Sequence, residues 1–425
     1  FLEGSFSPGL LVQGMATALG LGVVGGLYPA WTAANLQPVE ALRYEGGSAG
    51  KARGWLARVG SQSFRNLWRR RTRTLISASG VGIGVATLVM LGGMIAGMIG
   101  QLNGLAGSGS AGSITVMQRD VADMSLSSLD ERLVRQIQGM PQVKSASPFV
   151  LAFVSDEKMP MFLIAGVELN SPVLRHYRLV EGRYIRRPNE IMLGKVAAET
   201  YKLGVGDTMV LYDNRYKVVG IIETGVAYED GGGVLALREA QRLMARPRTV
   251  SFIFVDVEEP AQAPAVVEAI NRRFPDARAS LSSDFAQSTN DIQNTMAMTD
   301  AIRLLAMVVG GIVVANTMIM AIYERTREIG TLRALGWRRR RILGQILQES
   351  LYLCLFAALL GSALGVALLT GLTLLPVAGQ FLKADWQVET FVSAAAVALL
   401  LGLIGGLYPA WRASRLPPVE ALRYE

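Results

Sequence analysis

The stretch YERTREIGTLRALGWRRRRILGQILQES, residues 323–350, carries the densest recognition chemistry in the chain. Ile329, Leu332 and Leu335 recur every three residues, enough for one apolar stripe on a short helix. Glu324, Arg325, Arg327, Glu328 and Arg333 surround that stripe, and Gly336 is placed to end the helix. A short amphipathic helix of this kind can dock into a groove on another protein. From the residues alone, a connecting turn that rests on lipid has the same composition.

Covalent and redox chemistry is thin. The chain has one His, His176, and one Cys, Cys354. That excludes a disulfide within the chain and argues against a His-based metal site or a Ser-His-Asp triad. No metal site or bound cofactor is expected. GGSAGKARG (46–54) imitates a phosphate loop at Gly50-Lys51, but Ala52 follows where a Mg²⁺-binding hydroxyl is needed, and no G-x-x-x-x-G-K-[ST] occurs. A membrane-anchored enzyme is therefore the weakest reading.

These residues must be positioned by membrane spans. Hydrophobic residues make up 51% of the 425, too many for an ordinary soluble protein of this size. Residues 4–39, 74–118, 304–323, 350–382 and 390–411 contain no Asp, Glu, Lys or Arg. Each holds a run of about 20 mostly apolar residues, the length that crosses roughly 30 Å of hydrocarbon as a helix. The expected spans are about 8–30, 74–99, 303–323, 346–372 and 391–410. Their lack of charge argues against proton- or ion-coupled transport, which places carboxylates or Arg near the midplane.

Charge sorts the loops. Residues 31–73 carry nine Lys/Arg against two Glu, and 324–345 carry seven Arg against two Glu. Residues 104–298 hold 21 basic and 23 acidic residues. Basic short loops lie in the cytoplasm, so the five spans alternate without conflict and 104–298 faces outside. Burying Arg338–Arg341 at mid-bilayer would cost roughly 10–14 kcal/mol on insertion scales, so that cluster marks a membrane edge. The Arg runs set topology and touch anionic headgroups, which makes membrane lipid, and not nucleic acid, the expected partner.

GGLYPAWTAANLQPVEALRYE (25–45) returns as GGLYPAWRASRLPPVEALRYE (405–425), and the copies align without a gap from Phe6 against Trp386. The expected organisation is the last span and tail of a first unit (1–45), a cytoplasmic linker and interfacial helix (46–73), a span (74–103), an outer α/β domain (104–298) and a three-span unit (299–425). Upstream sequence is expected to be missing. Within the outer domain SITVMQ, FVLAFV, MFLIAGV and VSFIFVDV read as strands, and residues 189–224 as strand, helix, turn and hairpin. SSLDERLVRQIQGMPQV (127–143) is expected to hold a short helix with Ser127 or Ser128 as its N-cap and Gly139 near its end. Two sub-regions are expected, 104–170 with 255–290, and 171–254. Glycines four apart (Gly22/Gly26, Gly93/Gly97, Gly361/Gly365, Gly402/Gly406) would permit close helix approach.

ERTREIGTLRALG between two spans resembles the cytoplasmic loop of the FtsX-like permeases, the MacB/LolC/LolE class of ABC transporter subunits. RNLWRRRTRTLISASGVGIGVATLVMLGGM resembles the first span of that class, MLGKVAAETYKLGVGDTMVLYDNRYKVVGIIET part of its extracytoplasmic domain, and GGLYPAWRASRLPPVEALRYE its C-terminal end. The resemblance covers residues 60–425. It implies an α-helical membrane protein, with about five transmembrane helices here and an extracytoplasmic α+β domain of the MacB periplasmic-core type. It implies a bacterial cytoplasmic (inner) membrane and a separate cytoplasmic ABC ATPase dimer, which would hold the ATP and Mg. A coupling helix at 324–336 would receive that ATPase through Glu324, Arg325, Arg327, Glu328, Ile329, Leu332, Arg333, Leu335 and Gly336. The implied function is export or extraction of a substrate (a lipoprotein, lipid, peptide or drug); the alternative is relay of ATPase state to an outer partner such as a cell-wall hydrolase. MacB-type subunits have four spans and form homodimers, so the extra span implies a second permease unit, fused upstream or homodimeric. The charge pattern makes a direct prediction: in a Cys354→Ala background, Asp213→Cys reacts with a membrane-impermeant maleimide added outside and Arg338→Cys does not. Labelling of both from one side would overturn the topology.

Overall fold

The computed structural model describes residues 8–34, 71–106, 113–155, 161–375 and 383–415, with 159 and 417. The expected linker, the interfacial helix at 55–68 and both PVEALRYE tails lie outside the described residues. In chain order the first elements are α1 (Pro8–Ala34), α2 (Arg71–Ala106), β1 (Ile114–Gln118), β2 (Leu129–Asp130), α3 (Arg132–Gln138), β3 (Val143–Val154), β4 (Phe162–Val167), β5 (Leu179–Gly182), β6 (Glu190–Gly194) and α4 (Lys195–Tyr201). There follow β7 (Thr208–Leu211), β8 (Asn214–Ile222), α5 (Ala227–Asp230), β9 (Gly233–Ala236), α6 (Leu237–Leu243), β10 (Thr249–Val250), β11 (Phe252–Val257), α7 (Ala263–Arg273), β12 (Ala277–Leu281) and α8 (Phe285–Ser288). The chain closes with α9 (Asn290–Tyr323), α10 (Thr326–Ala334), α11 (Arg339–Thr373) and α12 (Val388–Ser414).

Four of the described helices, α2, α9, α11 and α12, are long and apolar enough to cross a membrane. The expectation was about five. The fifth falls on α1, a 27-residue helix without a charged side chain, which exposes Val12, Met15, Leu19 and Val23. α1 and α12 are helical over residues 380 positions apart at both ends, so the sequence repeat is also a repeat of structure.

The four helices pack where side chains are smallest. A Cβ added at Gly361 would stand 2.4 Å from the Gly82 carbonyl oxygen, and one at Gly365 would stand 2.6 Å from that of Ala86. These glycines seat α11 directly on the backbone of α2. Gly402 and Gly406 bring α12 against the small side chains of Cys354 and Ser350 on α11, where Ser350 Oγ donates to the Gly402 carbonyl at 2.6 Å. Such close approach matters in lipid, because apolar side chains gain little by leaving one hydrocarbon for another.

The outer domain is built on one ten-stranded mixed sheet of order β12-β1-β11-β3-β4-β9-β6-β8-β5, with β7 paired to β8. β4 with β9 and β6 with β8 run parallel; the other pairs run antiparallel. The two expected sub-regions therefore share a sheet. What divides them lies on one face only: α3 and α7 cover the β1–β11–β12 end, and α4 and α6 cover the β6–β8 end. Strand alternation assigns the faces. Phe149 and Leu151 of β3, and Phe252 and Phe254 of β11, point to one side, while Val150, Ile253 and Val255 point to the other.

The first helix of this domain starts later than expected. Leu129 and Asp130 pair with β10 as a strand, so α3 begins at Arg132. Neither Ser127 nor Ser128 caps it; Ser127 Oγ donates instead to the Ser251 carbonyl at 2.6 Å, and Asp130 Oδ1 accepts from Arg132 N at 2.8 Å. Gly139 does close it.

The packing makes Gly361 an informative position. Gly361→Val forces α2 and α11 apart, and a thermal melt of the detergent-purified chain is expected to show a loss of about 1–3 kcal/mol, the usual cost of overpacking. Gly371→Val, where an added Cβ meets nothing within 4 Å, serves as the control and leaves the melt unchanged.

Candidate functional site: the cytoplasmic connector and its two stalks

α9 ends at Tyr323 and the chain turns at once into α10. The turn is fixed by polar contacts. Thr326 Oγ1 donates to the carbonyl of Ile322 at 3.1 Å or of Tyr323 at 3.0 Å. Arg325 Nη1 lies 3.0 Å from both carboxylate oxygens of Glu349, one helix away on α11. The Glu349 side chain is 10% exposed and that of Arg325 22%. In such a half-dry setting a charge-assisted contact outweighs its exposed equivalents.

The other end of α10 is closed by a glycine. Gly336 adopts φ +88°, Gly336 N donates to the Arg333 carbonyl at 3.1 Å, and Trp337 N donates to the Leu332 carbonyl at 3.1 Å. This pair of bonds is the Schellman arrangement, which needs a left-handed residue and so favours glycine. Arg341 stacks over the Trp337 ring at 4.0 Å, and Arg333 Nη1 donates to the Trp337 carbonyl at 3.1 Å. The Arg cluster at 338–341 thus begins α11 and braces the turn before it.

The structure divides the expected apolar stripe. Ile329 is 8% exposed and packs with Ile342 and Ile346 of α11 and Ala410 and Ala413 of α12. Leu332 is half-buried and Leu335 is 73% exposed. The reason is geometric. Steps of three residues fall about 60° short of a full turn, so Ile329 and Leu335 point about 120° apart. Ile329 therefore ties α10 to its own protein. The outward surface carries Glu324, Arg327, Glu328, Thr331, Ala334 and Leu335. Arg325 and Arg333 point into the supporting layer.

α2 and α9 leave the membrane region without a break. At 36 and 34 residues they are about 54 and 51 Å long, against roughly 30 Å of hydrocarbon. The surplus enters the outer domain. Leu102, Leu105 and Ala106 of α2, with Phe285 of α8 and Ile292 of α9, belong to the core on the stalk-facing side of the sheet. The Phe285 ring meets Phe252 edge-on at 5.5 Å between centroids. Gln101 Oε1 accepts from Ala227 N at the start of α5, and Asn103 Oδ1 accepts from Ala286 N in α8 at 2.9 Å. Beside this joint His176 Nε2 lies 3.3 Å from Glu229 Oε2, a hydrogen bond that raises the imidazole above its ordinary range against the opposing effect of burial. Lys383, shortly before α12, donates to the Gly225 carbonyl, so Lys383 lies on the domain's side.

Residues 74–273 match the MacB-like periplasmic core domain, and residues 301–418 match the FtsX-like permease C-terminal domain. The chain belongs to the FtsX-like, MacB-type ABC transporter permeases. It is 31% identical over 414 residues to a macrolide export ATP-binding/permease protein MacB of Bdellovibrio bacteriovorus, covering 86% of this chain and 61% of that one. It is 29% identical over 402 residues to a pyoverdine export ATP-binding/permease protein PvdT of Pseudomonas putida, covering 85% and 59%. The permease thus spans about three fifths of the length of these relatives. An uncharacterised ABC transporter permease of Methanocaldococcus jannaschii is 24% identical, with 85% of this chain and 97% of that one covered. The crystal structure of the MacB periplasmic region from Actinobacillus actinomycetemcomitans aligns with 42% of this chain and 92% of that one, at 11% identity and a TM-score of 0.34, too low to carry an argument. The permease is a multi-pass inner-membrane protein with its MacB-type α+β domain outside.

The Arg325–Glu349 contact sets the pose of α10. Arg325→Ala is expected to lower the melting stability of the permease by about 1.5–3 kcal/mol, the range for hydrogen bonds to charged groups. The double variant with Glu349→Ala should recover part of that loss. Strict additivity of the two single variants would show that the pair does not hold the connector.

Proposed function

We propose that the permease couples nucleotide turnover in a cytoplasmic ABC ATPase to movement of its outer domain, for export or extraction of a substrate on the far side of the membrane. The observation that carries this reading is the construction of the connector. α10 is held rigidly to α11 and α12 from behind by Ile329 and by the Arg325–Glu349 contact, and its opposite surface, with Arg327, Glu328, Thr331 and Leu335, is open. Force applied to that surface reaches α9 directly, because only Glu324 and Arg325 separate the two helices. α9 and α2 then act as levers on the sheet through Phe285, Ile292, Leu102 and Leu105.

The relatives' names join ATP-binding to permease, which supports an ABC ATPase working with this permease. ATP and Mg would be held by that partner. Glu324, Arg327, Glu328, Leu332, Leu335 and Gly336 would form or border its contact, with Ile329, Arg325 and Arg333 as the support. A second permease unit completes the transmembrane core in this reading, and the helical copy at α1 favours a fused arrangement.

The two surfaces of α10 give the test. Leu335→Asp and Arg327→Glu are expected to abolish co-purification with the cognate ATPase and stimulation of its hydrolysis, with no change in the permease melt. Ile329→Asp should instead lower the melt, by about 2–5 kcal/mol for loss of a buried aliphatic side chain. Unchanged binding and stimulation with both outward variants would remove the coupling role. If binding persists and an outer-compartment hydrolase is activated without efflux of any substrate, relay replaces transport.

A further inference from the structure

The outer ends of α2, α9 and α12 leave an open cavity of about 330 Å³ between them. That is within the range of about 300–1,000 Å³ usual for small-molecule sites. Its walls are sorted by chemistry. Leu88 and Ile95 of α2 with Val397 of α12 line an apolar part; Arg303 of α9 with Glu389 and Thr390 of α12 line a polar part. Arg303 and Glu389 are each the last charge before a charge-free run, 304–323 and 390–411. The polar part therefore lies at the outer headgroup level, and the apolar part reaches into the hydrocarbon.

At the headgroup level a charged side chain can meet a lipid headgroup charge of opposite sign. Arg303 donates Nη1 to Asp300 Oδ1 at 3.2 Å, which uses one of the five N–H groups of the guanidinium. Its Nε–H is buried without a hydrogen-bond partner among the described residues. The rest of the guanidinium belongs to a side chain that lines the cavity and is 42% exposed, so its remaining N–H groups are open to an anion. The cavity also offers a carboxylate, so the wall carries one charge of each sign. A purely anionic ligand would answer Arg303 and oppose Glu389.

We propose that this cavity binds a zwitterionic phospholipid of the outer leaflet, of the ethanolamine type. The phosphate meets Arg303, the ammonium meets Glu389, and the upper acyl chain lies along Leu88, Ile95 and Val397. The site belongs to a single protein chain and is separated by the length of the spans from α10. It holds whether or not an ATPase couples at the cytoplasmic side.

The test uses the full chain, without ATPase, in phosphatidylcholine nanodiscs doped with a photoactivatable phosphatidylethanolamine. Cross-links are expected within 88–99 and 390–397. Arg303→Gln and Glu389→Gln should each lower them roughly tenfold, about one tenfold step of affinity. Ser393→Trp, which narrows the cavity without touching either charge, should lower them as well. A photoactivatable phosphatidylglycerol should label the same peptides weakly and gain from Glu389→Gln. Undiminished phosphatidylethanolamine labelling in the monodisperse Glu389→Gln and Ser393→Trp proteins overturns the site. Equal labelling by the two lipids in the unsubstituted protein overturns the zwitterionic assignment.

Discussion

The structure depends on one packing arrangement: the ends of two membrane helices form part of the hydrophobic core of the outer domain. Leu102, Leu105 and Ala106 arrive from α2, and Phe285 and Ile292 lead into α9, all against the same face of the sheet. Close-packed cores do not deform smoothly, so a shift of either helix must move the sheet or repack the joint. The amide side chains of Gln101 and Asn103 reinforce this by accepting from the backbone of α5 and α8. A flexible tether at these points would leave the membrane and the outer domain mechanically independent.

At the cytoplasmic end the same logic appears with polar groups. α10 has only nine residues, too short to be stable as an isolated helix. It persists because a Schellman turn closes it at Gly336, Ile329 enters a core shared with α11 and α12, and Arg325 meets Glu349. The connector is therefore a rigid projection of the helix bundle. Between the two ends, α11 sits on α2 through Gly361 and Gly365, and Gly402 and Gly406 seat α12 on α11. The first pair meets the α2 backbone and the second meets the small side chains of Ser350 and Cys354, so neither interface has room for a larger side chain.

The outer domain shows how one strand pattern can serve two purposes. Along β3, Phe149 and Leu151 face the stalks while Val150 and Ala152 face α4 and α6. The stalk-facing side gathers Phe149, Phe252, Phe254 and Phe285, whose rings meet at 5.0 to 6.3 Å between centroids. Bulky aromatic contacts at the joint bury a large area per residue.

Much of this was legible in the chain. Uncharged runs of about 20 residues require helices in hydrocarbon, and clustered Arg fixes which ends stay in the cytoplasm, because both rules follow from transfer energies that ignore tertiary context. Apolar runs at 149–154, 161–167 and 250–257 were readable as strands, the last of them divided at Ser251 in the structure, and Gly336 was readable as a helix stop. Tertiary structure alone decided what faces what. Nothing in the spacing of Ile329, Leu332 and Leu335 says that the first turns inward and the last outward, since the neighbours that bury Ile329 lie on α11 and α12. Nor does the sequence show Glu349 under Arg325, Asp130 drawn into a strand by β10, or the ends of α2 and α9 inside the sheet's core. Each rests on contact between residues distant along the chain, where local propensity carries no information.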